Sequence, residues 1–213
     1  MTPNSAPNSA PTVTPDPMTP DRAAALLARV ATTDRPTPPE VVAAMQAIER
    51  SHPGKPVALE DLEGTWRLTF VTGTKKARKR AGKVIGAGRY LAAIPKITLA
   101  YCADSGSDLG ASLGRAVNTV AIGGLKLTVT GPIEAIAGKR ILAFDFTCWS
   151  VAIGSWVVYR GEIGGGAASD ASFADRPLKE RPFFNYVWVS DRAIAARGKG
   201  GGLAMWVRIE DND

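Results

Sequence analysis

Apolar and polar side chains alternate along residues 64–72, which read G-T-W-R-L-T-F-V-T. Successive side chains of a β-strand point to opposite faces, so the pattern predicts a strand with Trp66, Leu68 and Phe70 on one apolar face. Gly64 allows the chain to turn sharply before this strand, and Trp66 is large enough to fill the end of a small closed sheet. The G-x-W opening is therefore typical of the floor of a barrel.

Further alternating segments follow from residue 96 onward and are separated by glycine-rich turns such as Gly123-Gly124. The predicted strands lie at 97–101, 125–130, 141–148, 150–160, 186–197 and 203–210. A total of about seven to nine strands with short connections and no intervening helix favours an antiparallel meander. Such a sheet removes its exposed edges by closing on itself, so we predict a mainly β fold, an up-and-down barrel. A barrel of about eight strands holds either its own side chains or one small ligand.

Two short helices are predicted before the barrel, at 21–31 and 39–51. Thr19-Pro20 suits the cap and first-turn positions of the first helix, and Thr37-Pro38-Pro39 introduces the second. Each helix carries one narrow apolar stripe. We therefore expect both helices to pack against the barrel as a bracket.

The chain is predicted to contain one ordered domain at 21–213, after a disordered tail at 1–20. The tail is dominated by Pro, Thr, Ser, Asn and Ala, which supply too little apolar surface to offset the entropy of ordering it. Within the domain, the helical bracket at 21–52 precedes the barrel at 62–210. Residues 161–182 contain three consecutive glycines and are predicted to form a mobile flap.

Composition agrees with a globular domain and assigns no partner. The chain has 213 residues, of which 45% are hydrophobic and 22% charged, and no apolar run approaches the roughly twenty residues of a membrane span. Its net charge of +6 favours anionic neighbours such as acidic lipid or nucleic acid.

A cluster of basic residues follows the first predicted strand. Its members are Lys75, Lys76, Arg78, Lys79 and Arg80. Like charges this close cannot be buried together, so we expect a solvated loop. The loop either contacts the anionic surface of a membrane or lipid globule or is a simple connection. No aromatic residue is interleaved with it, so we predict no binding of nucleic acid.

No arrangement of residues typical of an active site occurs in the sequence. Cys102, Cys148 and the single histidine, His52, are too few for a metal cluster or a disulfide framework. There is no G-x-S-x-G elbow and no Walker loop, and the G-A-G at 86–88 lacks the third glycine of a dinucleotide fingerprint. We therefore predict a protein that is not an enzyme and that uses no cofactor and no metal.

Four segments, in the same order, resemble the plastid lipid-associated protein family, whose members are also called fibrillins or plastoglobulins. Residues 62–68, L-E-G-T-W-R-L, resemble the family's L-x-G-x-W-x-L opening. Residues 117–120, V-N-T-V, resemble its central V-N-x-V strand, and residues 140–146, R-I-L-A-F-D-F, resemble the strand after it. Residues 191–198 and 202–207 resemble its closing D-x-x-L-R-I-x-R-G-x-x-G-x-L-F-V hairpin.

The resemblance covers residues 21–210 and implies a lipocalin-like barrel without enzymatic activity. It further implies a place at thylakoids or plastid lipid globules (plastoglobules), or at the thylakoids of a cyanobacterium, and the binding or sheltering of isoprenoid and other apolar lipids. Two positions depart from the family pattern. When Arg197 is aligned with the second arginine of L-R-I-x-R-G, the first falls at Ile194, and Phe70 stands where Tyr is usual.

An apolar ligand is predicted to lie against the inward faces of the strands. The residues predicted to line its site are Leu68, Phe70, Leu142, Phe144 and Phe146. The alternative is a solidly packed barrel that acts as a structural coat or scaffold through its outer surface. At the barrel floor, Arg197 is predicted to pack on Trp66, because an up-and-down barrel pairs its first strand with a late one. The alternative for Arg197 is a solvent-facing side chain before a glycine turn.

Overall fold

A computed structural model of the chain describes residues 18–51, 55–73, 88–103 and 112–210. The predicted tail at 1–20 therefore lies outside the described residues except for its last three positions. All five basic residues of the 75–80 cluster lie outside them as well.

Two α-helices precede the barrel, as predicted. Helix α1 is Pro20–Ala28 and continues into a single 3-10 turn, Arg29–Ala31, and helix α2 is Pro38–Ser51. Thr19 caps α1 with its side-chain oxygen, and a proline occupies the first position of each helix. Proline fits there because its fixed φ suits a helix and its missing N–H has no helical partner to lose.

Eleven strands of the described chain join in one antiparallel sheet. They are β1 (Gly64–Val71), β2 (Arg89–Tyr90), β3 (Lys96–Ala103), β4 (Leu113–Ile122), β5 (Leu125–Ala135), β6 (Ile141–Phe144), β7 (Cys148–Ile153), β8 (Trp156–Glu162), β9 (Phe183–Val189), β10 (Ala193–Gly198) and β11 (Leu203–Arg208). A short helix, α3 (Gly166–Ala171), lies between β8 and β9.

Eight of these strands close into a barrel, in the ring order β1, β3, β4, β5, β6, β9, β10 and β11. The ring closes where β11 pairs with β1 and sets Arg208 opposite Trp66. The ring follows the order of the strands along the chain and leaves out only β2, β7 and β8. The predicted fold, a mainly β antiparallel barrel behind two short helices, is confirmed.

Strands β7 and β8 stand outside the ring. The first part of β5 pairs with β7 and its last three residues pair with β6, so the sheet forks there. We call the branch formed by residues 117–130 and 148–161 the wing. Its two hairpin tips touch, since the Gly154 amide donates to the Gly124 carbonyl at 2.7 Å. The prediction of one strand at 150–160 is wrong, because Gly154 takes a positive φ of 61° and the chain reverses into the β7–β8 hairpin.

The barrel wall separates two apolar cores. The inner core fills the barrel and includes Trp66, Leu99, Tyr101, Ile133, Leu142, Tyr186 and Ile194. The outer core joins α1 and α2 to the outside of β9, β10, β11 and β1, and includes Leu27, Met45, Phe70, Ala193, Ala195 and Met205. Both helices thus pack against the outside of the barrel.

One predicted interior residue lies on the wrong side of the wall. The pairing of β1 with β11 shifts between Leu68 and Phe70, so Thr69 is an extra residue, a β-bulge. A bulge reverses the alternation beyond it, and Phe70 therefore joins the outer core while Leu68 stays inside. Phe70 is fully buried there and meets the Tyr90 ring edge-on at 5.2 Å between centroids.

Candidate functional site

The barrel floor is built around Trp66. Its indole Nε1 donates to the Leu62 carbonyl at 2.7 Å, and the guanidinium carbon of Arg208 lies 4.0 Å from the centre of its ring. Arg208 also donates to the carbonyls of Asp191 and Glu63, at 2.5 and 2.8 Å. A planar guanidinium can stack on a ring and satisfy free carbonyls together, so Arg208 joins the end of β11 to the start of β1 and to the turn before β10.

The same closure explains the glycine of the G-x-W opening. Gly64 has a positive φ of 114°, a region that other residues avoid. A Cβ at this position would also collide with the Arg208 guanidinium. Position 64 is therefore restricted to glycine by its backbone and by its neighbour.

The prediction that Arg197 packs on Trp66 is wrong. Another arginine, Arg208, packs on this ring instead. The predicted strand at 186–197 is broken by a turn after β9, so β11 and not β10 lies beside β1. Arg197 instead makes two hydrogen bonds of 2.6 Å with the Glu49 carboxylate of α2 and one of 2.8 Å with the Gly201 carbonyl. The hydrogen bonds to Glu49 raise the pKa of Arg197 above its usual value.

The middle of the barrel is filled by a buried pair of tyrosines. The hydroxyl of Tyr186 donates to that of Tyr101 at 2.9 Å. Burial raises the pKa of both phenols well above the ordinary value, so both are neutral at physiological pH. Leu142, a predicted ligand residue, is fully buried in this part of the core.

Two predicted ligand residues, Phe144 and Phe146, meet where the wing leaves the barrel. Phe144 ends β6, Phe146 follows it, and Phe184 lies near the start of β9. The Phe144 ring is 4.8 Å from that of Phe184 and 5.5 Å from that of Phe146, between centroids. We call these three half-buried side chains the rim aromatics. Leu68 is half-buried in the same inner core. The structure thus places Leu68, Leu142, Phe144 and Phe146 in or against the inner core, with Phe144 and Phe146 in ring contact, and it excludes Phe70.

The segment predicted to be a mobile flap is attached to the outside of the barrel. Arg115 of β4 forms two hydrogen bonds with Asp170 of α3, at 3.0 and 3.3 Å, and the Thr147 hydroxyl donates to Asp170 at 2.9 Å. Burial opposes the charged form of Asp170, but the hydrogen bonds from Arg115 and Thr147 outweigh it and lower the pKa of this carboxyl. We call residues 163–182 the strap.

Two further ion pairs fasten the strap. Arg176 pairs with Asp145 at 2.6 Å, and the buried Arg181 pairs with Glu134. Both guanidinium groups lie over the ring of Phe173, at 5.5 and 4.9 Å from its centre, and Phe173 is almost fully buried. The strap is a fixed cover on this side of the barrel.

The wing carries an apolar face that no other part of the described chain covers. Residues opposite one another across strands share a face, and β5 pairs with β4 without a register shift. Leu125 and Leu127 therefore lie on the face of β5 that carries Ile133 in the inner core. Val151 and Tyr159 continue this face across β7 and β8. The lining of the barrel thus extends past the rim aromatics onto the open wing.

Outside the barrel, a groove of about 310 Å³ lies between the 3-10 turn after α1 and the strands β1 and β11. Arg35, Arg67 and Lys96 line it, and no acidic residue does. The Arg35 guanidinium is 5.4 Å from the centre of the Tyr90 ring, and Arg67 donates to the Ala93 carbonyl at 3.0 Å. This groove has an excess of positive charge next to the start of β3.

The described residues contain no group of three or more His, Cys, Asp or Glu side chains that could hold a metal ion. None of the helices in this part of the chain has the length and apolar character needed to cross a bilayer. In comparisons with known proteins, no protein-family model, no curated protein and no solved structure matches the chain.

Two features of the site were missed by sequence reasoning. Phe184 belongs to the rim aromatics, yet residues 183–185 precede the segment in which alternation was found. The wing was missed as a surface because alternation alone does not say whether an apolar face is covered. A signal was available: residues 117–130 and 148–161 contain no acidic residue and two basic ones, Lys126 and Arg160.

Proposed function

We propose that this protein is a non-enzymatic, lipid-associated protein of the fibrillin type. In this proposal it binds or shelters an apolar lipid of the isoprenoid kind at a thylakoid or plastid lipid-globule surface, or at the thylakoid of a cyanobacterium. The observation that supports it is the cluster of half-buried rim aromatics, which connects the filled barrel to the bare apolar face of the wing.

The proposed ligand position follows from the packing. The floor and middle of the barrel hold buried side chains, including Trp66, Tyr101 and Tyr186, so a chain of carbon atoms would lie against the rim and not at the floor. Transfer of apolar surface from water contributes about 25 cal/mol per Å². A lipid tail covering roughly 200 Å² there would gain about 5 kcal/mol before the costs of association.

Titration with a fluorescent apolar probe, cis-parinaric acid, tests the proposal. Phe144→Ala should weaken binding of the probe about tenfold, because it removes the stacked centre of the rim aromatics. Trp188→Ala is the matched control: Trp188 is half-buried on the opposite side of the wall and lines an outer cleft of about 430 Å³ beside α1. Both variants are checked for folding by circular dichroism and urea denaturation.

The two variants separate three outcomes. Loss of binding in Phe144→Ala alone supports the rim. Loss in Trp188→Ala alone moves the ligand to the outer cleft and contradicts the proposed site. Unchanged binding in both variants contradicts the proposed site, because the probe then binds elsewhere on the protein.

A structural coat or scaffold protein is the second candidate, and the filled barrel favours it. Most of the inner core away from the rim is buried, with Leu142, Ile133 and Ile194 fully inaccessible. A scaffold would act through its outer surface and would bind lipid surfaces without taking up a free apolar probe. Vesicle binding without probe binding would therefore select this candidate.

A further inference from the structure

The exposed apolar side chains of the sheet are concentrated along one edge. The members of this row, with their exposed fractions, are Ile94 (69%), Ile122 (54%), Leu125 (50%), Ile153 (59%) and Trp156 (79%). We call it the tip row. It comprises the two hairpin tips of the wing and the loop just before β3.

Strand pairing shows that the tip row is continuous. Leu125 is paired with Ile122 on one side and with Ile153 on the other, and Ile153 is paired with Trp156. Ile94 lies two residues before Lys96, which is paired with Ala121 next to the first tip. Large exposed apolar patches on soluble proteins mark sites that bind another surface.

The charges beside the tip row are all positive. Lys126 lies on the first wing tip, and Lys96 lies at the neighbouring strand end and lines the basic groove. Residues 117–130 and 148–161 contain no carboxylate, so nothing in the wing itself repels an anionic surface. Tryptophan beside lysine is the composition of proteins at the boundary between water and lipid.

We propose that the tip row inserts into the surface of an anionic phospholipid bilayer, with Lys96 and Lys126 against the headgroups. Interfacial segments bury their apolar side chains about 5–10 Å deep. A strand advances about 3.4 Å per residue. Trp156 and Tyr159 are paired with Ile153 and Val151, two residues apart on β7, so Tyr159 would lie about 7 Å farther out. Trp156 is inserted and Tyr159 stays near the membrane surface. The proposal extends the lipid association proposed above and does not depend on a ligand at the rim.

Flotation with phosphatidylcholine vesicles, with and without phosphatidylglycerol, tests the insertion. The full chain should float with the anionic vesicles and lose binding at high salt, because the attraction between charges is screened. Trp156→Ala should weaken binding about tenfold or more, and the matched control Tyr159→Ala should change it by less than about threefold. Replacing Lys96 and Lys126 together by Gln should remove the preference for the anionic vesicles.

A second variant reports depth directly. Trp156→Phe keeps an apolar ring at the tip, so it should float like the unchanged protein. Lipids brominated on their acyl chains quench nearby tryptophans, and this quenching should fall sharply in Trp156→Phe. These positions are exposed, so the substitutions should not unfold the protein. Equal melting temperatures confirm this.

The outcomes distinguish insertion from its alternatives. If binding depends on Lys75, Lys76, Arg78, Lys79 and Arg80 but not on Trp156, the basic loop is the attachment site and the proposal is overturned. If the unchanged protein is a dimer in solution and Trp156→Ala is a monomer, the tip row binds a second copy and the proposal is also overturned. Loss of probe binding in Phe144→Ala with normal flotation would support the rim ligand and leave insertion intact. Normal probe binding in Phe144→Ala, together with loss of flotation in Trp156→Ala, would support insertion and contradict the rim ligand.

Discussion

Two apolar surfaces of the sheet lie outside the barrel interior, and the described part of the chain covers only one of them. The outer face of β9, β10, β11 and β1 lies under α1 and α2, with Phe70, Ala193 and Met205 fully buried. The wing face that carries Leu127 and Tyr159 has no cover among the described residues. The comparison teaches that apolar sequence alone does not determine burial: the covering element must also fit and be held.

Side-chain size and charge separate the two faces. Strand β10 presents alanines at 193 and 195, which let the helices approach closely, and the Glu49–Arg197 pair fastens α2 to the end of this strand. The wing presents Trp, Tyr, Ile and Leu, and its charged residues, Lys126 and Arg160, are both basic. A face that is large, apolar and free of acid suits a lipid surface better than a helix of the same chain.

The largest contrast should appear when one aromatic residue is removed from each face. Phe70→Ala should lower the free energy of unfolding by about 3–5 kcal/mol, because it leaves a cavity beneath the helices. Tyr159→Ala should change it by less than about 0.5 kcal/mol. Urea denaturation followed by circular dichroism measures both. Similar losses in the two variants would mean that the wing face is covered after all.

Removal of the Glu49–Arg197 ion pair, which fastens α2 to β10, should have the next largest effect on stability. Glu49→Gln should lower the free energy of unfolding by about 1–2 kcal/mol, because Arg197 loses a charged partner with which it makes two hydrogen bonds. The double variant with Arg197→Gln should lose less than the sum of the two single changes. Strict additivity in this cycle would show that the pair does not couple helix to strand.

The strap provides an intermediate case with a dependence on pH. The folded state lowers the pKa of Asp170, so its ion pair stabilises the protein above the ordinary carboxyl pKa and this contribution is lost as pH falls through the lower folded value. At pH 7 Asp170→Asn should be less stable by up to about 1 kcal/mol, since the pair is partly exposed. The difference in stability between Asp170→Asn and the unchanged protein should disappear as pH falls below about 4. A gap independent of pH would exclude the ion pair as its cause.

The smallest effect on stability should come from the wing itself. Leu127→Thr introduces a β-branched residue suited to a strand and should change the free energy of unfolding by less than about 0.5 kcal/mol. Fluorescence of the dye ANS, which binds exposed apolar surface, should nevertheless fall. Met205→Thr is the buried counterpart, and it should lower stability strongly without lowering ANS binding of the folded protein. Unchanged ANS fluorescence in Leu127→Thr would contradict an accessible wing face.

The sequence predicted the class of fold because alternation and glycine turns are local signals. The helix starts at Pro20 and Pro38, the first strand and the turn at Gly123-Gly124 all follow from nearby residues. The errors have non-local causes. Phe70 changed sides because of a bulge set by pairing with β11, and alternation within β1 carries no information about its partner.

As with the fold, only part of the candidate site was predicted from the sequence. Four of the predicted ligand residues belong to the inner core because each lies on an inward face, and two of them, Phe144 and Phe146, meet at the rim. An arginine was correctly predicted to pack on Trp66 at the barrel floor, but it was assigned to Arg197 and not to Arg208. The reason is that the turn after β9 was missed, so β9 and β10 were predicted as one strand. Coverage of the wing could not be predicted, because it depends on where the helices and the strap lie in space.

The ring closure between β1 and β11 has a consequence for the order of folding. The hairpins of the wing join neighbouring residues through two-residue turns and can form within microseconds, whereas β1 must wait for a partner near the other end of the domain. The hairpins that carry the tip row can therefore form before the barrel closes. During synthesis in a cell, a chaperone or a lipid surface would meet this edge first, and refolding in dilute solution should lose material to aggregation that Trp156→Ser would recover.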